Sequence, residues 1–355
     1  MRIGFDATSL RPTGKGAARV QRELLRAAAS HGLVERLDVF VPEHPDEDAL
    51  PPVEGWRYHR VRTRPMILWE QIGLPRLARR LELDAVITTS ERAALWGPPE
   101  VVYIAEHPRH RTRRSREVGT SLRQRLVDST TLLLFRISMR RAAVVVAASE
   151  STARELAPVR SVSVAHHGVS EAFSPGATER THLLHIASDD PRDNSEVVID
   201  AYAAYGDDRP PLVVSGPIHA ARPALEERAR RAGVADSIRW AGFQTTEGLL
   251  ELYRGAIAYV DPSLYEGFGL QALEALACGT PVIASNTTAL PEVVGDAGIL
   301  LDPRDAAGFA VAMRRVAEDP ALAAGLSAKA LAQAARFTWE HTTRQLIAAC
   351  ERAAR

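Results

Sequence analysis

Short apolar runs alternate with longer amphipathic segments through the first half of the chain. Apolar runs that end in polar or glycine-containing turns predict buried strands, and apolar residues spaced three and four apart predict helices. A loop at 6–16, rich in Gly, Pro, Ser and Thr, follows the first apolar run. The predicted strands are 1–5, 37–41, 56–61, 84–88, 101–104, 143–147 and 161–165, and the predicted helices are 18–30, 76–83 and 121–140.

A second alternating series begins at residue 182. Between the two series, the segment 170–179 holds Pro175, Gly176 and polar residues, a composition typical of an interdomain linker. A chain of 355 residues is also too long for one ordinary core. The predicted strands of the second series are 182–187, 211–214, 238–240, 256–260, 281–284 and 299–301, and its predicted helices are 195–204, 221–232, 246–254, 270–277, 306–318, 320–336 and 339–354.

Two β/α series in tandem predict an α/β fold with two doubly wound, Rossmann-like domains that face each other across a cleft. We place these domains at residues 1–170 and 171–338. In such sheets ligands bind beyond the carboxyl ends of the strands, so we expect the loops of both domains to point into the cleft.

The stretch 256–285 contains the main candidate site. A predicted strand, the glycine turn Gly267-Phe268-Gly269 and a predicted helix follow one another there, an arrangement that presents free backbone N–H groups to an anion. Glu266 lies just before the turn, and Glu274 lies one helical turn beyond it. A nucleotide sugar would suit this combination of amides and carboxylates. By spacing alone, an ordinary turn that uses glycine for its positive φ stays an equal alternative.

The composition is that of a globular protein, with 46% hydrophobic and 25% charged residues. The formal net charge is zero and aromatic residues are few, so we predict no nucleic-acid partner. Lys15 and Lys329 are the only lysines, so 42 of the 44 basic residues are arginines. Almost any cation in a phosphate site of this chain must therefore be arginine.

Two cysteines, Cys278 and Cys350, supply neither a disulfide framework nor a thiolate metal site, which favours a reducing compartment. The N-terminal residues lack a signal-peptide pattern, because Asp6 directly follows the first apolar run. No apolar run approaches the ~20 residues that a membrane-spanning helix needs. These observations predict a cytoplasmic protein.

The segment Glu266-Gly-Phe-Gly-Leu-x3-Glu274 resembles the E-x7-E motif of the retaining, nucleotide-sugar-dependent family 4 glycosyltransferases of GT-B fold, the glycosyl transferases group 1. The likeness covers nearly the whole chain in the order and spacing that the family uses, and it is strongest over 261–298. The other segments similar to the family are 262–267, 275–286, 290–298, Trp69-Glu-Gln-x3-Pro75, 148–151 and His167-Gly-Val-x3-Phe-x-Pro175.

The resemblance implies roles for these residues. Glu266 would lie near the donor sugar as a catalytic residue, and Glu274 would bind the ribose hydroxyls. The amides after Gly267, those of Phe268, Gly269 and Leu270, would meet sugar hydroxyls and the diphosphate. Gly216 and Phe243 would border the base. The resemblance also makes 1–170 the acceptor-side domain and 171–338 the donor domain, with the helix at about 339–355 packed back on the first.

The sequence departs from the family at 185–194. Relatives use an arginine and a lysine here to hold the diphosphate, whereas this chain keeps Arg192 and Asn194 but has Ser188 and Asp193 at the other positions. A carboxylate that faced the diphosphate would repel it. Our hypothesis is that cations elsewhere in the cleft, Lys15 beside Gly16 in the first glycine loop and Arg19, supplement Arg192; the alternative is that Lys15 is a solvated loop lysine.

A second departure lies at the end of the strand 101–104. Relatives carry a histidine close to the transferred sugar at this point, but here the histidine is displaced and the chain reads Glu106-His107. We expect His107 near the reacting sugar as a catalytic residue and Glu106, like Arg19, on the acceptor side. A solvated loop histidine is the alternative interpretation.

The resemblance implies a hexosyl transfer from a nucleotide-diphosphate sugar to an acceptor hydroxyl, with retention of configuration by front-face displacement. It implies no cofactor besides this donor, and we read Asp189 and Asp190 as loop acids and predict no metal requirement. The alternative function is a nucleotide-sugar-binding protein with altered or lost transfer, because of Asp193 and the displaced His107.

The arginine-rich segment 109–125 suggests a peripheral contact with an anionic membrane or acceptor, with a solvated loop as its alternative.

Overall fold

The computed structural model describes residues 1–12, 16–90, 92–110, 122–157 and 162–355, without the side chains of 122–128. The described residues form two compact units. The N-terminal unit comprises Met1–Gly168 together with Thr338–Arg355, and the C-terminal unit comprises Val169–Phe337. The chain thus leaves the first unit once and returns to it for its last helix.

The described part of the N-terminal unit contains a seven-stranded parallel sheet in the order β3-β2-β1-β4-β5-β6-β7. Its strands are β1 (Ile3–Asp6), β2 (Leu37–Pro42), β3 (Trp56–Val61), β4 (Ala85–Thr88), β5 (Glu100–Ile104), β6 (Val144–Ala147) and β7 (Val162–Val164). Its helices are α1 (Gly16–Ser30), α2 (Met66–Leu68), α3 (Leu74–Arg80), α4 (Leu122–Arg141), α5 (Glu150–Leu156) and the last helix, α13 (Trp339–Ala354), with a π turn at Trp69–Gly73 and a 3-10 turn at Glu47–Ala49.

Helix α13 closes this unit by packing on α1 and on the strands β4, β5 and β6. Trp339 and Leu346 are buried on its inner face. Where the chain returns, Trp339 passes so close to Gly168 that a Cβ at Gly168 would lie 2.1 Å from the Trp339 amide nitrogen. The absence of a side chain at Gly168 therefore allows the first and last parts of the chain to meet.

The C-terminal unit contains a six-stranded parallel sheet in the order β10-β9-β8-β11-β12-β13. Its strands are β8 (His182–Ile186), β9 (Leu212–Ser215), β10 (Ile238–Gly242), β11 (Ala256–Asp261), β12 (Val282–Ser285) and β13 (Gly298–Leu301). Its helices are α6 (Ser195–Ala204), α7 (Arg222–Arg231), α8 (Thr246–Arg254), α9 (Leu270–Ala277), α10 (Leu290–Val294), α11 (Ala306–Glu318) and α12 (Pro320–Ala334), with 3-10 turns at Pro191–Asp193, Ala235–Ser237 and Gly295–Ala297.

Both sheets have the doubly wound strand order, in which the winding direction reverses beside the first strand of the unit. In the C-terminal unit this reversal separates β8 from β11. Open α/β sheets bind ligands at the carboxyl ends of the two strands at such a point, because the connections there diverge to opposite faces and leave a crevice. A ligand site is therefore expected at the loops after β8 and β11.

Candidate functional site

The loops that follow β8 and β11 are tied together at the switch point of the C-terminal sheet. The Leu264 amide donates to the carbonyl of Arg192 over 2.8 Å. The side chain of Asn194 donates to the carbonyls of Pro262 and Pro303, at 3.0 and 2.7 Å. Asn194 has a left-handed φ of 56°, a conformation that asparagine tolerates better than most residues. Its role in the described residues is thus to join three loops.

Arg192 is held over the crevice by a carboxylate of its own loop. Its Nε lies 3.1 Å from Asp190 Oδ1 and its Nη2 lies 2.9 Å from Asp190 Oδ2, a bidentate pair. The Asp190 carboxylate also caps the 3-10 turn by accepting from the Arg192 amide. The guanidinium lies over the ring of Tyr265, 5.5 Å from its centroid. Asp190 and Tyr265 therefore orient the main cation of the loop, a role that our sequence analysis did not assign to either.

Asp193 turns its carboxylate into the loop itself. Oδ2 accepts hydrogen bonds from the Ser188 amide at 2.5 Å and from the Ser188 hydroxyl at 2.8 Å. The same hydroxyl oxygen accepts from the Asp190 amide. Burial raises the pKa of Asp193 to about 6, although the bonds from Ser188 oppose this shift. Asp193 and Ser188 thus maintain the shape of the loop.

Replacing Asp193 with asparagine is expected to flatten the pH dependence of stability. Because the pKa in the folded state is raised from its ordinary value of 3.8 to about 6, the stabilising effect of this group is complete below pH ~4 and is lost as the pH rises through about 6. The loss is at most about 3 kcal/mol. The substituted amide cannot ionise and keeps an acceptor for Ser188. We expect Asp193→Asn to match the parent at pH 4 and to unfold at higher urea concentration at pH 7.

The control for this experiment is Asp189→Asn. Asp189 Oδ1 accepts from the amides of His219 and Ala221, and the bond from Ala221 is the main cause of its lowered pKa. Its removal should therefore change stability with the opposite pH slope. Urea denaturation between pH 2 and 8 measures both, because the contribution of Asp189 is lost only below pH ~4. Parallel curves for the parent and Asp193→Asn between pH 4 and 8 would contradict the assignment.

The glycine turn after β11 is positioned by the connection that follows β12. The Glu266 amide donates to the Thr288 hydroxyl over 3.0 Å, and Thr288 has a φ of 53°. Gly269 is the N-cap of α9 with a φ of 99°, and a Cβ there would lie 2.8 Å from the Leu290 side chain. Glycine is therefore required at this helix start. Glu266 and Gly267 are half-buried, whereas the Phe268 side chain belongs to the apolar core of the unit.

Glu274 lies on the inner side of α9. The residue is only 1% exposed, and its Oε2 accepts from the Tyr253 hydroxyl over 2.9 Å. Tyr253, on α8, is itself fully buried. The ribose contact that the resemblance implies for Glu274 stays a prediction, and a partner that our sequence analysis did not name, Tyr253, holds the carboxylate in the structure.

Gly216 and Phe243 follow β9 and β10 at the same edge of the sheet. Gly216 has a φ of 119°, and its amide donates to the Gly242 carbonyl over 2.8 Å. A Cβ at Gly216 would lie only 2.0 Å from the carbonyl oxygen of Ala187, at the start of the loop after β8. Phe243 is 74% exposed, so its ring is available to a ligand. Their predicted contact with a base stays a prediction.

In the N-terminal unit, His107 lies beyond the end of β5 and packs edge-on against Phe135, with ring centroids 4.8 Å apart. Its Nδ1 accepts from the Arg109 amide over 3.0 Å. Burial, and then the Arg109 charge, lower its pKa to about 4. The imidazole is therefore neutral near pH 7, a state suited to donating or accepting one hydrogen bond rather than to pairing with an anion. Glu106, the preceding residue, is half-buried.

The other predicted residues of this unit lie around α1. Gly16 is its exposed first residue, and Arg19 is half-buried in its first turn. Lys15 lies outside the described residues, and so does most of the arginine-rich segment, at 111–121. The hypothesis that Lys15 supplements Arg192 therefore stays a prediction, as does the membrane or acceptor contact of 109–125.

The carboxyl edge of the N-terminal sheet carries a buried polar cluster that our sequence analysis did not assign. Glu70 is 3% exposed and forms a bidentate pair with Arg92, at 2.8 and 3.0 Å. Asp6, at the end of β1, accepts from the Thr8 hydroxyl and the Trp69 indole. Desolvation raises the pKa of Asp6 above its ordinary value. Glu70 and Trp69 lie in the segment 69–75 that resembles the family. This likeness is the sequence signal that could have identified them as functional residues.

Among the residues that the structure describes, no group of three or more His, Cys, Asp or Glu side chains could hold a metal ion. The described helices also include none that is long and apolar enough to cross a membrane. The independence from metal stays a prediction.

Residues 171–336 match the family model described as Glycosyl transferases group 1. This match lies within the C-terminal unit, to which the likeness to the family model is confined. A curated relative, O-antigen chain mannosyltransferase B from Escherichia coli, is 38% identical over 169 residues, which are 47% of this chain and 44% of the relative. The match thus spans less than half the length of that relative.

Two solved glycosyltransferase-type structures superimpose on nearly the whole chain and show that it has the predicted GT-B fold. Sucrose-phosphate synthase from Thermosynechococcus elongatus superimposes with a TM-score of 0.78 over 98% of both chains, at 21% identity. Anabaena HepE, solved in complex with UDP and glucose, gives a TM-score of 0.69 over 98% of both chains, at 19% identity. The predicted α/β fold class is confirmed.

Proposed function

We propose that this chain is a retaining glycosyltransferase that moves a hexosyl group from a nucleoside-diphosphate sugar to an acceptor hydroxyl. The observation that carries the proposal is the crevice at the switch point of the C-terminal sheet. There an oriented guanidinium, that of Arg192, lies on a loop hydrogen-bonded to the loop that ends in the glycine turn before α9. Cation, amides and the half-buried Glu266 are thereby brought to one edge of one sheet.

The relatives support the substrate class. The curated relative in Escherichia coli is named a mannosyltransferase, which is consistent with a hexosyl donor. HepE was solved with UDP and glucose, and also with UDP-glucose, consistent with a nucleotide-sugar donor. Neither comparison selects uridine or guanosine for this chain, nor an acceptor.

In this proposal the diphosphate lies against the amides of Phe268, Gly269 and Leu270 at the start of α9. Helix N-termini bind anions because their first N–H groups have no partner within the helix. Arg192, whose guanidinium Asp190 orients, contributes a positive charge. The carboxylate of Asp193 accepts two hydrogen bonds from Ser188, which turn it into its own loop.

The proposed reaction proceeds on one face of the sugar. The acceptor oxygen forms a bond to the anomeric carbon while the bond to the diphosphate oxygen breaks, and the acceptor proton passes to the departing diphosphate. The protein then needs to stabilise the negative charge that develops on the leaving group, which preorganised amides and Arg192 can do. Glu266 would hold the sugar, and neither a metal nor another cofactor takes part.

The alternative is a nucleotide-sugar-binding protein without transfer activity. Two features suggested it, Asp193 and the displaced His107. The hydrogen bonds from Ser188 turn Asp193 into its own loop, which argues against a direct contact with the diphosphate. The neutral imidazole of His107 is compatible with a hydrogen bond to a sugar. Transfer is therefore the better-supported function.

A thermal-shift screen with UDP-, GDP- and other nucleotide sugars tests the donor proposal. A ligand at 100 times its Kd should stabilise the protein by about 2.7 kcal/mol. Donor hydrolysis or transfer in the presence of EDTA, followed by NMR of the anomeric proton, then tests catalysis, metal independence and retention separately. Binding without hydrolysis or transfer would support the alternative, and a screen without any stabilising nucleotide sugar would contradict both functions.

A further inference from the structure

Four arginines line a pocket of about 550 Å³ in the N-terminal unit. Three of them lie at the amino ends of neighbouring strands: Arg2 precedes β1, Arg36 precedes β2 and Arg57 is the second residue of β3. The fourth, Arg80, ends α3. Parallel strands bring these ends to one edge of the sheet, opposite the carboxyl edge where Asp6 lies. All residues that line the pocket belong to the N-terminal unit.

The charges of the pocket do not balance. Its lining includes two carboxylates, Asp38 and Glu82, against four guanidinium groups. Arg57 pairs with Asp38 and Arg2 with Glu82, each at 2.8 Å. Asp38 also accepts from His59 at 2.6 Å, so its charge is shared further. Two positive charges therefore remain unmatched within the lining.

Arg36 and Arg80 carry this excess. In the described part of the chain, neither guanidinium makes a hydrogen bond or an ion pair, and both residues are exposed. Many other arginines of the chain differ in this respect, for example Arg228, which pairs with Asp200. Because arginine does not lose its proton in proteins, the mutual repulsion of the four groups cannot be relieved by titration.

Two residues that line the pocket, Trp56 and Gly55, are held in place by the surrounding backbone. Trp56 is buried and its indole N–H donates to the Val34 carbonyl over 2.9 Å. Gly55 has a φ of 88°, and a Cβ there would lie 2.4 Å from the carbonyl oxygen of Glu35. The volume of about 550 Å³ lies in the range of small-ligand sites.

We propose that this arginine pocket binds a phosphate monoester. Such a group carries a charge close to −2 near neutral pH and presents three oxygens, which matches two unpaired guanidinium forks in charge and in geometry. The phosphate could belong to a small metabolite or to a lipid headgroup, and the two sources share this chemistry. The site is independent of the proposed glycosyl transfer.

The test uses the full chain and two probes that carry the same phosphate. Calorimetric titration with glycerol 3-phosphate measures the soluble form, with glycerol as the neutral control. Co-sedimentation with phosphatidylcholine vesicles, with and without phosphatidic acid, measures the lipid form. The variant is Arg36→Gln combined with Arg80→Gln, and the matched control, Arg62→Gln combined with Arg76→Gln, removes two exposed arginines of the same unit.

We expect the pocket variant to weaken binding of one probe at least tenfold, and the control to remain within twofold of the parent. The variant Arg36→Lys with Arg80→Lys keeps the two charges but not the guanidinium geometry. Its affinity for the probe should lie between those of the pocket variant and the control. It replaces the pocket variant if that variant folds poorly. Arg192→Ala should leave this binding intact. Binding of glycerol 3-phosphate identifies a soluble ligand, and binding of phosphatidic acid alone identifies a lipid.

Three results would overturn the proposal. They are no saturable binding of either probe, binding that the pocket variant retains, and binding that disappears only with Arg192→Ala, which would place the phosphate in the C-terminal crevice. None of them depends on detecting glycosyl transfer, so this proposal and the proposed function can fail separately.

Discussion

Arg192→Ala is expected to lower kcat/KM for the donor by roughly 100- to 1,000-fold, the cost of removing one preorganised group that stabilises a developing oxyanion. Arg192 is the cation that the structure orients over the crevice, through its bidentate pair with Asp190 and its contact with the Tyr265 ring. Because the chain has only two lysines, no nearby lysine is available in the described part of this unit, where Lys329 pairs with Asp296.

Steady-state kinetics with the donor found in the screen measure this effect, and calorimetry gives the donor Kd. The control is Arg231→Ala, which removes an exposed guanidinium from the end of α7, where it pairs with Glu227. Asp190→Asn should reduce activity less, since it loosens the orientation of Arg192 without removing its charge. If Arg192→Ala retains the parent kcat/KM, the proposed diphosphate site is wrong.

Gly216→Ala is expected to destabilise the C-terminal unit by about 2–6 kcal/mol. A non-glycine residue at a strained positive φ costs about 1–3 kcal/mol, and overpacking adds about 1–3 kcal/mol. Here the added Cβ would lie 2.0 Å from the Ala187 carbonyl oxygen, and backbone cannot rotate away as a flexible side chain can. The displacement would reach the loop that carries Ser188 and Arg192, so donor affinity should fall as well.

Gly325→Ala is the matched control. Gly325 lies inside α12, and a Cβ there would meet nothing within 4 Å. The same substitution should then stabilise the unit by about 0.5–1 kcal/mol, because alanine loses less conformational entropy in a helix. Urea denaturation followed by tryptophan fluorescence, to which this unit contributes Trp240, measures both variants. Equal stabilities of the Gly216→Ala and Gly325→Ala variants would contradict the predicted clash of the added Cβ with the Ala187 carbonyl oxygen.

For several elements, the sequence predicts the first and the last residue correctly. The strand Trp56–Val61 and the helices Ser195–Ala204, Thr246–Arg254, Leu270–Ala277 and Ala306–Glu318 have the predicted bounds. Their apolar periodicity is strong and their ends carry local signals, such as Thr245 and Asp305, whose side chains cap α8 and α11. Local chemistry was sufficient in these cases.

Short elements were missed. The helices Glu150–Leu156 and Leu290–Val294 and the π turn at Trp69–Gly73 are too brief to show a helical period. Packing against the sheet stabilises them instead, and tertiary contacts of that kind leave little trace in a single sequence.

The sequence by itself determined the two β/α series, the α/β fold class and the turn that carries Glu266, because strand and helix periods and glycine turns are local properties. Only the tertiary structure decided where the side chains of the site point. Asp193 turns to Ser188, Asp190 holds Arg192, and Glu274 meets Tyr253 from another helix. A side chain's direction depends on the neighbours that packing brings to it, and for Glu274 that neighbour lies 21 residues away along the chain.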